Sequence, residues 1–342
     1  MKTIDLKSLS RGNLLILGIV LLLVLPLFLA SYYQHILILV LFYAFAASAW
    51  NIVCGFVGTL SLGHAVYLGL GGYISTVLLV NANVSPWIGM FIGAAITCLF
   101  GVLIGYPCFR LKGPYFALTS IALGELLRIW VENNESFFGI DIKGSMGILL
   151  PQTGNKASAF EFAGKLPYYY IILGFFAIAV LITYLIKRSK IGYYLTAIKS
   201  DPDAAESLGI NLTKYKLIAM GISTFLIAFA GTFYAQYFRY IGPTRIFGGD
   251  LSVQIALIAL IGGQGTVLGP FWGSILITIL SEFLSAKFGG ELPGLHLFIL
   301  GIAMILVVFY MPQGINSYLV RGYGWLERKM ASLTKKPVGT TR

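Results

Sequence analysis

Long apolar runs, separated by short polar segments, recur along the whole chain. A helix that crosses the hydrocarbon core of a membrane needs about 20 predominantly apolar residues. By this measure the sequence predicts about ten membrane-spanning helices, placed at 14–30, 36–54, 57–80, 87–105, 113–131, 168–186, 215–237, 251–265, 270–286 and 293–311. The predicted fold class is therefore an all-α polytopic integral membrane protein. The first run resembles a signal peptide in its basic flank. It is long, however, and no small-residue cleavage site follows it, so we expect a retained helix.

The composition agrees with this pattern and excludes the main soluble classes. Hydrophobic residues make up 58% of the 342 residues and charged residues only 11%, whereas roughly a quarter of an ordinary soluble domain is charged. So few charges cannot cover a water-facing surface, which excludes a soluble globular enzyme, a disordered protein and a nucleic-acid binder. The three cysteines have neither metal-ligand spacing nor a disulfide framework; they are Cys54, Cys98 and Cys108.

The positions of the basic residues predict the orientation. Lys and Arg are retained on the cytoplasmic side of membrane proteins, and most of the 24 Lys and Arg residues fall in cytoplasmic segments when the N-terminus is placed inside. Both termini are therefore predicted to be cytoplasmic. The predicted organisation is an N-terminal tail (1–12), a transmembrane domain (13–312) with a cytoplasmic loop (187–214), and a basic C-terminal tail (313–342).

The third predicted span is rich in glycine between residues 55 and 73. Each glycine in a helix costs about 1 kcal/mol relative to alanine, and backbone groups freed inside a membrane must be satisfied by protein or cavity water. The pattern predicts a discontinuous span that lines a pathway, with a helix N-terminus whose N–H groups suit a carboxylate. The alternative is that the glycines only permit close helix packing. The candidate pathway residues are Asn51, Gly58, Ser61, Gly63, His64, Tyr67, Glu125 and Glu282.

Three of these candidates carry titratable groups with a structural alternative. His64 by itself favours a hydrogen-bonded structural role over that of a ligand or proton relay. Acidic residues inside spans are functional candidates by default, but Glu125 has Arg128 one helical turn later, so the two can neutralise each other. Glu282 has no such neighbour; it either lines the pathway or extends towards the outer surface.

The cytoplasmic loop contains the signals of a short helix. Asp201 is a favourable N-cap and Pro202 fits the first helical position. Asp203 and Glu206 complement the positive end of the helix dipole, and Gly209 can close the helix. So short a helix is not stable alone. It is therefore either a coupling helix that contacts a cytoplasmic partner or an ordinary loop helix packed on its own chain. The candidate coupling residues, which include two small alanines, are Asp201, Asp203, Ala204, Ala205, Glu206, Gly209 and Asn211.

The sequence offers no site for nucleotide hydrolysis of the common type. No G-x-x-x-x-G-K-[ST] phosphate-binding loop occurs in it, and the loops between spans are too short to form a separate catalytic domain. If transport is driven by ATP, we expect the ATPase to be a separate chain.

Several segments taken together resemble the LivM type of branched-chain amino acid ABC transporter permeases, within the LivH/LivM permease family. The resemblance covers about residues 46–284, and the segments that carry it are Trp50-Asn51, 58–65, 111–117, 144–148, 203–211 with Lys214 and Lys216, and the glycine-rich turn before Pro270. The segment Asp141-Ile-Lys143-Gly-Ser before Met146 departs from the family's glycine- and Ser/Thr-rich turn.

The resemblance implies a subunit without catalysis of its own that forms half of a pathway for branched-chain or other hydrophobic amino acids across a bacterial cytoplasmic membrane. The implied partners are a second homologous permease, two cytoplasmic ATPases that bind ATP and Mg²⁺, an extracytoplasmic solute-binding protein and membrane lipid, with no nucleic acid. The chain itself is expected to bind no cofactor or metal. On this resemblance residues 203–209 contact an ATPase groove, and Ser61, Gly63 and His64 lie near the pathway.

Two alternatives stay open at this point. The same family handles urea and short amides, and the residues near Ser61 do not distinguish these solutes from amino acids. The other alternative is an ion-coupled secondary transporter that acts alone, with His64, Glu125 and Glu282 as coupling sites. The docking-type loop and the lack of an obvious inverted repeat favour the importer.

Overall fold

The computed structural model describes residues 18, 20–111, 113–137, 139–151, 154, 156–288, 294–311, 314–318 and 320–321. The predicted N-terminal tail and most of the predicted C-terminal tail lie outside the described residues, as does the start of the first predicted span. The cytoplasmic placement of both termini therefore stays a prediction. Within the first predicted span, residues 20–28 are helical.

Helices make up most of the described chain. In chain order they are α1 (Ser31–Cys54), α2 (His64–Ala82), α3 (Pro86–Cys108), α4 (Pro114–Asn133), α5 (Lys165–Arg188), α6 (Lys190–Ser200), α7 (Pro202–Ser207), α8 (Leu212–Phe238), α9 (Pro243–Ile246), α10 (Gly249–Gly263), α11 (Gly269–Phe288) and α12 (Leu295–Tyr310).

Seven helical segments of the described chain are long and apolar enough to cross a membrane. They are Ser31–Cys54, His64–Ala82, Pro86–Cys108, Lys165–Arg188, Leu212–Phe238, Pro243–Gly263 and Gly269–Phe288. Each corresponds to one predicted span. The predicted spans at 113–131 and 293–311 also form helices, α4 and α12, but α4 is less apolar and α12 has only 16 residues. The fold class is confirmed as a mostly helical membrane protein, and the count of about ten spans stays a prediction.

The centre of the bundle is formed by α1, α2 and α8. In α1, 78% of the most apolar stretch is buried within the chain, compared with 28% in α11. Glycine allows α2 and α8 to approach closely, because a Cβ atom on Gly231 would lie 1.8 Å from the carbonyl oxygen of Leu68. The remaining long helices pack around this centre, and their outward faces carry the large exposed apolar side chains.

Four short strands occur in the described residues, at the end of the bundle where α8 ends. Strands β1 (Ser136–Phe137) and β2 (Ile140–Asp141) form an antiparallel hairpin after α4. Strands β3 (Ile148–Leu149) and β4 (Tyr240–Ile241) pair antiparallel, with Ile148 opposite Ile241. The second pair fastens the long segment between α4 and α5 to the chain that follows α8.

Candidate functional site

The predicted break in the third span lies between α1 and α2. Residues 55–63 are irregular, the backbone turns at Gly58 with φ of +81°, and α2 starts only at His64. The later glycines of this span lie inside α2. One of them, Gly71, would place a Cβ atom 2.5 Å from the Cα atom of Ala228 on α8. The irregular residues therefore lie between two continuous helices, α2 itself is unbroken over His64–Ala82, and the glycines inside it permit close packing; a discontinuous span that lines a pathway stays a prediction.

His64 is fully buried and its ring is held from both sides. Nδ1 lies 2.8 Å from Ser61 Oγ and Nε2 lies 3.1 Å from Ser223 Oγ. The Ser223 hydroxyl donates to the carbonyl of Ala49 at 2.6 Å, so Nε2 donates to Ser223, and in the neutral ring Nδ1 accepts from Ser61. The ring of Tyr67, also buried, meets the His64 ring edge to face at 5.7 Å. This is the structural role that the sequence favours for His64.

The start of α2 does not present free N–H groups as predicted. The amide of Ala65 donates to Ser252 Oγ at 2.9 Å, and that of Leu62 donates to Ser120 Oγ at 2.9 Å. Side chains of this chain therefore occupy donors that a bound carboxylate would need. The expectation that they face a cavity is wrong for these two amides, and the serines that occupy them are far away in sequence.

Asn51 joins the end of α1 to the glycine-rich turn between α10 and α11. The side chain is fully buried. Its Nδ2 donates to the carbonyl of Thr266 at 2.8 Å, and its Oδ1 accepts from the amide of Gly265 at 2.8 Å. Nearby, Gln264 Nε2 donates to the carbonyl of Cys54 at 2.5 Å. We call this set of contacts the junction; in it both polar atoms of the Asn51 side chain are bonded to backbone groups.

Lys199 of α6 reaches the junction from the loop and is a residue that the sequence analysis missed. Its ammonium group donates to the carbonyl of Gly55 at 2.8 Å. Its stem packs at Gly58, where a Cβ atom would lie 2.9 Å from Lys199 Cγ. Burial lowers the pKa of the Lys199 ammonium group from its ordinary value. A cation at the C-terminal end of α1 also complements the negative end of that helix dipole.

The predicted loop helix exists as α7, with the predicted ends. Asp201 Oδ1 accepts from the amides of Asp203 at 3.0 Å and Ala204 at 3.1 Å. Gly209 has φ of +81°, and its amide donates to the carbonyl of Glu206 at 2.9 Å. The sequence analysis missed α6, which precedes α7 and whose N-cap, Ser189, accepts from the amide of Gly192 at 3.3 Å.

The side chains of α7 divide between the chain's interior and its surface. Ala205 is only 2% exposed, so its side chain packs on this chain, and its role in coupling stays a prediction. Ala204, Asp203 and Glu206 are exposed. Leu208, at the end of α7, is 81% exposed and was missed as a candidate. Asn211 serves α8 as its N-cap and accepts from the amide of Lys214 at 3.0 Å.

The charged residues of α4 form one linked group. Arg128 is paired with Glu125 through two nitrogens, one of them, Nε, at 3.0 Å, as the sequence predicts. Arg128 Nη1 also donates to Glu132 Oε1 at 2.6 Å, which in turn accepts from the Thr244 hydroxyl at 3.1 Å. The side chain of Glu125 is 52% exposed. The predicted placement of α4 in the membrane would require protein or a water-filled cavity beside this ion pair.

Glu282 lies half-buried in α11. Within the described residues it forms no ion pair, and it lies within electrostatic reach of the Tyr43 hydroxyl. Neither its predicted pathway role nor the alternative is decided by these contacts. Among the same described residues no cluster of three His, Cys, Asp or Glu side chains could hold a metal ion.

A helical bundle with seven helices long and apolar enough to cross a membrane among the described residues, together with the family match, defines a multi-pass integral membrane protein of the inner membrane. The family model for the permease component of branched-chain amino acid transport systems matches residues 32–308. The chain belongs to this family, as the resemblance implies.

Relatives of known function agree with this membership. The chain is 24% identical over 295 residues to the high-affinity branched-chain amino acid transport system permease protein LivM of Escherichia coli K12, covering 81% of this chain and 68% of that one. It is 26% identical over 263 residues to the nucleoside ABC transporter permease protein NupC of Lactococcus lactis, covering 70% of this chain and 76% of that one. These relatives are transporter permease subunits rather than enzymes. A solved structure, PsaBC of Streptococcus pneumoniae in complex with Fab, aligns with a TM-score of 0.44 and 16% identity, covering 87% of this chain and 98% of that one.

Proposed function

We propose that this chain is a permease subunit of an ATP-driven importer for branched-chain or other hydrophobic amino acids. It forms half of the translocation pathway and pairs with a second, homologous permease. Two separate cytoplasmic ATPases bind ATP and Mg²⁺, and an extracytoplasmic binding protein delivers the solute. The observation that carries the proposal is α7, a capped surface helix that ends at the exposed apolar residue Leu208. The preceding helix, α6, connects it by the hydrogen bond of Lys199 to the irregular segment that begins at Gly55.

The surface of α7 has the features that docking to an ATPase requires. Leu208 is 81% exposed in a segment otherwise rich in polar groups, and exposed apolar side chains are the usual anchors of a protein contact. Ala204 leaves room beside it for a partner. Buried Ala205 on the other side packs α7 onto its own chain. A partner that moves Leu208 would therefore move α7 together with the chain beneath it.

The junction supplies a route from α7 to the pathway. Lys199 lies two residues before Asp201, the N-cap of α7, and its ammonium group is bonded to Gly55 at the start of the break. Asn51 fastens the same end of α1 to the turn before α11. A displacement of α6 and α7 would thus reach both glycine-rich segments through direct hydrogen bonds, which is how we infer that ATPase closure moves the irregular segment.

The charged face of α4 supports a second permease. A half-exposed Glu125, paired with Arg128, is unfavourable against lipid. Contact with a partner subunit, or a watered pathway between two subunits, would remove that cost. We therefore place the exposed face of α4 at the contact between the two permeases, and Glu125 beside the pathway rather than in the membrane.

The assignment of the solute rests on family membership and on the relative named for branched-chain amino acids. A relative named for nucleosides belongs to the same set of similar proteins, and urea or short amides are a further possibility within the family. The binding protein sets specificity in this proposal. Calorimetric titration of that protein with leucine, a nucleoside and urea should show binding of leucine; binding of one of the others alone would replace the solute but keep the importer.

The docking surface is tested with Leu208→Asp. A carboxylate there should abolish co-purification of the ATPases with the permease, because it places a charge at the apolar centre of the contact. Leu149→Asp is the matched control, since Leu149 is 75% exposed but lies at the end of the bundle opposite α7. Equal retention of the ATPases by both variants would contradict the docking role of α7.

A further inference from the structure

A groove of about 870 Å³ lies between α3 and α8, at the end of the bundle that holds α7. Its walls are apolar and come from both helices, with Val102, Leu217 and Ile222 among the lining residues. Gly221 also lines it, and a Cβ atom added there would contact Cys98 Sγ and Val102 Cγ2 at 3.4 Å. The groove therefore exists partly because Gly221 carries no side chain. Since only 39% of the apolar stretch of α3 is buried, much of α3 faces the membrane.

The mouth of this groove is cationic. Arg110 and Lys214 line it, Asn211 and Thr213 add polar groups, and none of the residues that line it is acidic. Arg110 is held in place by Tyr106, to whose hydroxyl its Nη2 donates at 3.2 Å, with the guanidinium carbon 5.1 Å from the ring centroid. The mouth thus offers a fixed guanidinium and an ammonium group to a ligand of opposite charge.

We propose that this groove binds an anionic phospholipid, with its phosphate between Arg110 and Lys214 and an acyl chain along the apolar wall. A guanidinium group matches the geometry of a phosphate, and basic pockets between membrane helices bind anionic head groups. A zwitterionic lipid leaves the two cations without a net countercharge. A soluble phosphate leaves the apolar wall uncovered. A single molecule with an anionic head and a long apolar chain can bind both the cationic mouth and the apolar wall of the groove.

The lipid would lie directly beside the segment proposed to receive the ATPases. Asn211 lines the mouth and also caps the helix that follows α7. A lipid in the groove therefore holds the start of α8 against the end of α3. This inference rests on the chain being a membrane protein and not on its transported solute, so it stands or fails separately from the proposed function.

The test is native mass spectrometry of the purified chain in detergent, with phosphatidylglycerol and phosphatidylcholine of identical acyl chains. The unchanged protein should retain one phosphatidylglycerol in preference to phosphatidylcholine. The double variant Arg110→Ala and Lys214→Ala should bind it roughly 30-fold more weakly, because each basic residue at a lipid surface contributes about a factor of five. Both side chains are exposed, so the fold should be kept.

The matched control is Arg188→Ala. Arg188 lies over the ring of Tyr184 at 4.6 Å, an arrangement like that of Arg110 and Tyr106, but it does not line the groove. The Arg188→Ala variant should bind phosphatidylglycerol as tightly as the unchanged protein does. The proposal would be overturned if the unchanged protein bound the two lipids equally, or if millimolar glycerol phosphate displaced the bound lipid. It would also be overturned if Arg188→Ala weakened phosphatidylglycerol binding as much as the double variant, or if the double variant bound this lipid normally.

Discussion

Removal of the Asn51 side chain should loosen the junction selectively. In Asn51→Ala the amide of Gly265 and the carbonyl of Thr266, which belong to partly buried residues, both lose a partner that is bonded at 2.8 Å. An unpaired buried polar group costs about 1–3 kcal/mol. Because the two residues are only partly buried, the lower end of this range applies to each, and the variant should lower the free energy of opening the junction by roughly 2 kcal/mol.

Cys54 reports this opening, because it is fully buried in the junction and its Sγ accepts from the amide of Ser61 at 3.2 Å. The assay measures labelling by a fluorogenic maleimide in a background where Cys98 and Cys108 are replaced by alanine. Where local opening limits access, the rate follows the opening equilibrium. Since 1.4 kcal/mol is a factor of ten, Asn51→Ala should accelerate labelling roughly 30-fold.

Asn81→Ala provides the matched control. Asn81 is an exposed residue of α2 whose side chain donates to the carbonyls of Val77 at 3.2 Å and Asp141 at 3.3 Å. Loss of the Asn81 side chain should leave the labelling rate of Cys54 unchanged, because the residue is exposed and water can replace its hydrogen bonds. Labelling of Asn51→Ala within about twofold of Asn81→Ala, a difference of only about 0.4 kcal/mol, would refute the role assigned to the junction.

Three further predictions concern the break, the junction and the pathway. Gly63→Ala would place a Cβ atom 2.1 Å from the backbone oxygen of Ser120. Overpacking of this kind typically costs about 1–3 kcal/mol, so the variant should have a lower melting temperature. Gly174 has open space around it, so Gly174→Ala should leave the melting temperature unchanged. Lys199→Met keeps an apolar side chain of similar length but loses the hydrogen bond to the end of α1. It should therefore accelerate labelling of Cys54 and weaken the coupling between ATP hydrolysis and uptake. Unchanged coupling would show that Lys199 does not transmit motion from α7 to α1. Glu282→Gln should slow uptake if the carboxylate lines the pathway, and normal uptake would exclude that.

Local signals in the sequence predicted the local structure well. Asp201 and Gly209 act through bonds to residues near them in sequence, so the ends of α7 follow from the residues alone. Arg128 and Glu125 are one turn apart on a helix and pair as that spacing requires. The N-cap of α6, Ser189, is also a local signal, but it is weaker than the Asp201-Pro202 pair that begins α7.

Features that depend on tertiary packing could not be predicted in this way. Glycine marks a break and a close contact equally, so the sequence could not separate Gly58, at a positive φ, from Gly71, packed on α8. Of the two hydrogen-bond partners of His64, Ser61 is near in sequence but Ser223 lies on a helix far along the chain. Which side of α7 faces the protein decides that Ala205 is buried and Leu208 exposed, and no pattern within so short a helix reveals that side.

The central claim is that this chain transports a solute only as part of an ATP-driven assembly. Proteoliposomes that contain both permeases, the two ATPases and the solute-loaded binding protein should accumulate labelled leucine when ATP is supplied on the ATPase side. Liposomes that contain this chain alone should accumulate none under a proton or sodium gradient. Accumulation by the chain alone from an ion gradient, without ATP, would contradict the account.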